Sequence, residues 1–313
     1  MKQDPLHIAI TFDENYISPV YALLTSIFIN NHGELIAIHA ITSGVTLAQQ
    51  EELTEYTSKY GCTISFYAID NGFGADFRLP KTLWWTTSIY YRLLFPQLLP
   101  ASVNKFLYLD TDIVVLQSLR ELFSTNLGGH PVAAVQDKIV LRPELPILRP
   151  ESYFNSGVLL INKTVWLEQD ISGKAIGFIK NNAEKLVNPD QDALNAALLG
   201  NWVELEKRFN LMFEDIPTDL PRKNYASFLE GVALLHYTTQ HKPWTMIGRN
   251  RLRFLYHHYL AMGPRQYRKH YPNFVWNRHK IREMLEIRLA EVWPGACKLP
   301  LLGYVYVGPP AEQ

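Results

Sequence analysis

Cysteine is nearly absent: only Cys62 and Cys297 occur in 313 residues, far apart in the chain. That excludes a four-cysteine zinc site and a disulfide framework, and it favours a reducing compartment. The stretch MKQDPLHIAI is not expected to act as a secretory leader, since Asp4 and Pro5 stand where a basic start and an apolar run are needed. No uninterrupted apolar run is long enough to cross a bilayer. Internal repeats and low-complexity segments are lacking. One glycosylation sequon, Asn162-Lys163-Thr164, closes an apolar strand-like run and reads as a chance occurrence. Net charge is zero, with 30 basic and 30 acidic residues.

What the chain does have is apolar material: 47% of residues are hydrophobic and 19% charged. That suffices for a large core in one sizeable domain with an appendage. Charge is unevenly spread. Residues 245–313 hold eleven Lys and Arg against four Asp and Glu, which leaves nineteen against twenty-six for the rest. An acidic body therefore precedes a basic end, and the change near Trp244 suggests a division into 1–244 and 245–313.

Along the body, residues 8–12 read as a strand, and Ser18-Pro19 as a helix cap and first-turn proline. Val20, Leu23, Leu24, Ile27 and Phe28 follow at helical spacing up to Gly33. Residues 35–42 are strand-like, Thr46 caps a polar helix closing near Gly61, and 63–69 is a third strand. This alternation predicts a parallel sheet with helical crossovers. A loop-forming stretch, NGFGADFRLPK, precedes a predicted helix over 87–94. Further strands are expected at 132–135, 158–161 and 232–236, and a helix over 190–199.

The segment FLYLDTDIVVL places two acids, Asp110 and Asp112, inside an otherwise apolar run. A buried carboxylate without a partner costs several kcal/mol, roughly. On a continuous strand, side chains two apart share a face, so the carboxylates would project together and repel. A divalent cation meets that need, as carboxylate oxygens suit Mg²⁺, Mn²⁺ or Ca²⁺. Two other readings stand beside it: loop acids that are solvated or paired with Lys or Arg, and the first motif of a haloacid-dehalogenase-type phosphatase. The phosphatase would require a downstream acidic G-D-x-x-x-D, which this sequence lacks.

Six blocks in order, FDENY, YYRLL, LYLDTDIVV, YFNSGVLLIN, PDQDALN and HYTTQHKPW, give the chain a wider resemblance. From about residue 8 to 244 it resembles glycosyltransferase family 8, the retaining nucleotide-sugar transferases, and most closely the bacterial branch that extends lipopolysaccharide or related surface glycans. The resemblance implies a GT-A α/β fold, a Rossmann-like and mostly parallel central sheet flanked by helices, with a short helical C-terminal appendage. It also implies metal-dependent transfer of galactose or glucose from a UDP-sugar to a glycan, here a lipid-linked one. With a metal on the phosphates, the absence of GxGxxG or GxxxxGK(S/T) after the first strand is understandable.

Position by position, Asp110, Asp112 and His236 match the family's metal ligands. An imidazole among oxygens favours Mn²⁺, with Mg²⁺ the alternative. Lys242 matches the diphosphate-contacting lysine, placed where charge develops on the leaving group. Asp13 and Asn15, with Thr11 before them, match the nucleoside side, although Asp and Asn also favour turns for their own reasons. Arg92, Asn155, Asp190 and Gln191 match positions around the donor sugar. Gln191 sits where a nucleophile or stabiliser has been sought, and an amide is a poor nucleophile. Two departures are notable. Thr239 occupies a position where the family usually has glycine, and Trp84 one where relatives commonly carry histidine.

The basic end interleaves Arg, Lys and His with Tyr, Phe and Trp. A stacking platform for nucleic acid is one reading. An attachment surface for anionic membrane fits better beside a transferase, at about 1 kcal/mol per base near such a leaflet. Together these give an enzyme at the inner, cytoplasmic face of a membrane. A nucleotide-sugar-binding protein without catalysis is the other class of function, kept open by Thr239.

Overall fold

The computed structural model describes residues 4–69, 87–138, 145, 149–268, 271 and 274–292. Trp84 and the 71–81 loop lie outside the described residues. Among the described residues, ten strands occur in chain order: β1 Leu6–Asp13, β2 Ile36–Ser43, β3 Thr63–Tyr67, β4 Lys105–Leu109, β5 Ile113–Val115, β6 Val132–Ala134, β7 Val158–Asn162, β8 Val203–Glu204, β9 Leu211–Met212 and β10 Leu234–His236. Seven of them form a central sheet in the order β3-β2-β1-β4-β7-β6-β8. All neighbours are parallel except β7, which runs antiparallel to both β4 and β6.

Apolar runs along these strands bury both faces, as sheets covered by crossover helices require. Ile8, Ile10, Leu107, Leu109, Val158 and Leu160 enter one core cluster. Their alternates Ala9, Phe106, Tyr108, Leu159 and Ile161 enter the other. The first cluster is roofed by the helices Ile17–Asn30, Leu47–Ser58 and Arg253–Met262. The second is covered by the segment Thr87–Leu94 and the helices Ile171–Asn182 and Pro189–Leu198.

Several elements differ from the sequence expectation. The first helix starts at Ile17, and its N-cap residue Tyr16 gives no side-chain cap; Ser18 therefore caps nothing. A 3₁₀ turn, Glu14–Tyr16, leads directly into it, with Asp13 accepting from the Asn15 amide. Residues Thr87–Leu94 form a 3₁₀ rather than an α-helix. The strand through FLYLDTDIVVL is broken. β4 ends at Leu109, and β5 belongs to a separate three-stranded sheet in the order β5-β10-β9. Asp110 and Asp112 therefore flank a turn at the point where the chain changes sheets, and do not share one strand face.

Sequence position 244 falls inside continuous packing. Leu252, Tyr256, Tyr259 and Leu260 join the first core cluster, and the Tyr237 hydroxyl donates to Leu252 O at 3.0 Å. Among the described residues, no helix is long and apolar enough to cross a membrane.

Candidate active site

The site lies at the carboxyl ends of β1 and β4, the usual ligand edge of an open α/β sheet. Backbone bonds bring its parts together. Asp110 N donates to Gly157 O at 2.8 Å, and Tyr237 N to Asp112 O at 2.9 Å. β10 runs antiparallel to β5, so His236 lies opposite Ile113, next to Asp112. The imidazole Nε2 stands 3.1 Å from Asp112 Oδ1 and 3.8 Å from Asp110 Oδ2. One ligand atom from each of the three residues lies within 4.8 Å of the others, so together they could hold a metal ion.

The surroundings fit a divalent cation. Four carboxyl side chains, Asp110, Asp112, Asp137 and Asp190, share the region with two basic side chains, Arg92 and Lys242, linked by ion pairs and hydrogen bonds. Two oxygen donors and one imidazole suit a borderline ion. Room for them depends on Gly157: a Cβ there would stand 2.3 Å from His236 Cε1 and 2.7 Å from Asp110 Oδ2.

Arg92 is the electrostatic hub. Its guanidinium donates to Asp110 Oδ1 at 2.8 Å and to Ser156 O at 2.7 Å, and pairs with Asp190 Oδ2 at 3.1 Å. It also lies over the Tyr108 ring, 4.6 Å from its centre. Burial would lower its pKa, but Asp110 and Asp190 outweigh that and raise it. Burial pushes the Asp190 carboxyl up despite Arg92, and nearby Asp110 adds to the rise. Asp112 behaves oppositely. Burial would raise it, yet Lys242 and His236 hold it well below the usual carboxylate range. The Lys242 ammonium bonds Asp112 directly and donates to Tyr237 O at 2.7 Å.

The sugar-side candidates are joined as well. Ser156 N donates to Gln191 Oε1 at 3.0 Å, and Ser156 Oγ to Asp190 Oδ2 at 2.9 Å. Asn155 Nδ2 and Gln191 Nε2 both reach Asp137 Oδ2, at 3.2 and 3.0 Å. Thr11 enters through Tyr108, whose hydroxyl is 3.0 Å from Thr11 Oγ1 and donates to Asp110 Oδ1 at 2.9 Å. Asp13 and Asn15 sit at the end of β1, where Asp13 Oδ1 takes the Asn15 amide at 2.9 Å in ordinary turn chemistry. Tyr16 beside them is raised above its usual pKa by burial and then by Asp112, Asp13 and Asp110. Thr239 is exposed, on the loop between His236 and Lys242, with a left-handed φ of 67°.

Sequence reasoning missed Asp137, Asn210, Tyr108 and Ser156. Asp137 had a findable signal, an acid just beyond an apolar strand, as at Asp110. Asn210 has none.

The sequence model for glycosyl transferase family 8 matches residues 7–248. The chain belongs to glycosyltransferase family 8. It is thus a glycosyltransferase, and the phosphatase reading of the D-T-D motif is set aside. The family member is 30% identical over 272 residues to General stress protein A of Bacillus subtilis (strain 168), across 83% of this chain and 94% of that protein. It is 31% identical over 254 residues to a lipopolysaccharide 1,2-glucosyltransferase of Escherichia coli, across 78% of this chain and 74% of that protein. Identity to the lipopolysaccharide 1,3-galactosyltransferase of Salmonella typhimurium LT2 is 27% over 250 residues, across 77% and 73% of the two chains. In structure, the galactosyltransferase LgtC, solved with donor and acceptor sugar analogues, matches with a TM-score of 0.72 at 24% identity. That match covers 85% of this chain and 100% of LgtC, and shows the GT-A fold.

Proposed function

We propose that this family 8 enzyme transfers galactose or glucose, with retention of configuration, from a UDP-sugar to a glycan acceptor carried on a lipid. The observation that carries this is the convergence of Asp110, Asp112 and His236 with Lys242 on one side and the Arg92–Asp190 pair on the other. The names of the lipopolysaccharide glucosyl- and galactosyltransferase relatives support both the sugar class and the acceptor class. Asp110, Asp112 and His236 would hold Mn²⁺, with Mg²⁺ the harder alternative. Bound there, the cation supplies counter-charge to the donor diphosphate.

The remaining work falls to this chain's own side chains. Lys242 lies where the leaving diphosphate gathers charge, and Arg92 holds Asp110 and Asp190 at fixed separation, so the site does not reorganise during the reaction. Asp13, Asn15 and Thr11 lie toward the nucleoside end. Thr239 sits beside the diphosphate loop. Asn155, Asp190 and Gln191 face the sugar. The acceptor oxygen bonds the anomeric carbon as the bond to the β-phosphate oxygen breaks. The electron pair leaves on that oxygen, which also takes the hydroxyl proton from the same face. Gln191 holds the sugar and is not attacked. Gln191→Ala should therefore slow transfer yet leave it measurable; complete loss with intact folding and UDP binding would contradict this route.

The second reading, a nucleotide-sugar binder without catalysis, draws on Thr239 at a position suited to glycine. UDP release from a panel of UDP-sugars, with Mn²⁺ and with excess chelator, separates the two. Release from one hexose donor that stops on chelation supports transfer; none from any donor supports binding alone.

We place the enzyme at an anionic membrane surface on the cytoplasmic side. Val275, Trp276, Leu285 and Leu289 are exposed apolar groups beside Arg278, Lys280 and Arg282. In this arrangement residues 1–244 carry the chemistry and 245–313 the acceptor and membrane side.

A further inference from the structure

His236 has two ring nitrogens, and a neutral imidazole carries hydrogen on only one. Its neighbours decide which. The Gly157 amide can only donate, and it points at Asn155 Oδ1 from 2.9 Å, so that end of the Asn155 amide is oxygen. Asn155 Nδ2 then donates to Asp137 Oδ2 and to Gln191 Oε1, each at 3.2 Å. The Asn155 oxygen also receives Asn210 Nδ2 at 2.9 Å, which leaves Asn210 Oδ1 facing His236 Nδ1 at 3.0 Å. An amide oxygen only accepts, so Nδ1 carries the hydrogen. In the neutral ring Nε2 then carries the lone pair, which a cation between Asp112 and Asp110 would take; without a cation, those acceptor oxygens at 3.1 and 3.8 Å favour a second hydrogen on Nε2. Turning the Asn210 amide over would set its oxygen against the Asn155 oxygen and lose that bond.

Asn210 is fully buried, at 0% exposure, and Asn155 is at 7%, so water does not offer these amides other partners. The residue follows the turn Lys207–Phe209 and leads into β9, whose pairing with β10 sets it beneath the imidazole.

We propose that Asn210, oriented by Asn155 and Asp137, is the positioning residue that holds His236 as the Nδ1–H tautomer and so readies Nε2 as a cation ligand. This rests on the reading that Asp110, Asp112 and His236 bind a divalent cation. Partners that orient a ligand imidazole through its other nitrogen are worth about 10- to 100-fold in metal affinity. The chain of bonds also reaches Gln191, so the sugar side and the cation side of the site share one anchor at Asp137.

The test uses the full chain with ¹⁵N-labelled histidine, UDP and saturating Mg²⁺, which is diamagnetic and takes the place of the second hydrogen at Nε2. Two-bond ¹H–¹⁵N correlations, assigned by their loss in His236→Gln, should show Nδ1–H in the wild type. An Nε2–H or mixed signal overturns the proposal, and this arm needs no Asn210 variant. Mn²⁺ affinity read by EPR with UDP present should fall about 10- to 100-fold in Asn210→Leu. It should fall less in Asn210→Asp, which keeps the acceptor at Nδ1 although it sets an oxygen against Asn155 Oδ1. Equal losses in the two variants, or none in Asn210→Leu, also overturn it. His236→Gln and Asp112→Asn report on the underlying reading. If neither weakens Mn²⁺ binding, the cation site itself is wrong. If both do and Asn210→Leu does not, only the role of Asn210 is wrong.

Discussion

Thr239 holds a φ of 67°, where a Cβ crowds the following carbonyl and a β-branched residue crowds it most. Its hydroxyl recovers a little by accepting from the His241 amide at 3.3 Å. Glycine tolerates this conformation freely. Thr239→Gly should therefore stabilise the fold by about 1 kcal/mol, the sum of relieved strain and a more flexible unfolded chain. The urea midpoint at unchanged slope would report it, and a lower midpoint would mean that the hydroxyl bond matters more than the strain. Gly157 is the converse case, a glycine kept for space. Gly157→Ala drives a methyl onto the His236 ring and the Asp110 carboxylate. We expect it to cost on the order of 10²–10³ in Mn²⁺-dependent UDP release, as loss of a positioned charge-stabilising group does. Circular dichroism should stay native.

At the scale of elements, the loop carrying Lys242 is held from behind. Lys242 O accepts from Thr245 N and Thr245 Oγ1, and Thr245 O from Gly248 N. Arg288, on the helix Arg278–Val292, donates to Met246 O at 3.1 Å and Gly248 O at 2.9 Å, and it is paired with Glu291. Arg253, at the start of the helix Arg253–Met262, donates to Pro243 O. Thus the C-terminal helices grip the carbonyls around the candidate phosphate lysine. Arg288→Leu should raise the donor KM about tenfold through misplacement of Lys242, with anionic-vesicle binding unchanged. Replacing Trp276, Leu285 and Leu289 by serine should do the reverse, lowering vesicle binding while the donor KM stays put. A vesicle-binding loss in neither set would remove the membrane from the account. Truncation after 244 is a poor test, because it strips Leu252, Tyr256 and Leu260 out of the core.

For the whole molecule, acid is the weak direction. His39 is buried, with His7 Nδ1 3.0 Å from its Nε2 and the Tyr67 hydroxyl 2.8 Å from its Nδ1. Burial, with a further contribution from His7, lowers its pKa from 6.5 to about 4. The unfolded chain thus takes up this proton first, so stability is full above pH 6.5 and declines as pH falls toward 4. Between pH 7 and 5 the loss should be about 2 kcal/mol by urea unfolding, at 1.36 kcal/mol for each unit of pH below 6.5. His39→Phe should flatten that limb, and an unchanged slope would place the sensitivity elsewhere. Much of this architecture was legible in the chain. Alternating apolar runs and turn residues determined the strand–helix order, since burial on a sheet and on a helix imposes different periods. The apolar run before Asp110 marked an acid that needs a partner. The convergence was not legible. Lys242 and Asp112 are 130 positions apart, and Asn210 meets Asn155 across 55. The break between β4 and β5, which replaces a shared strand face by a turn, depends on β10 arriving to pair with β5. Local sequence determines which residues can form each element. Strand pairing and packing between distant segments decide which side chains face one another, because that choice is made by the energy of the assembled sheets and not by any window of residues.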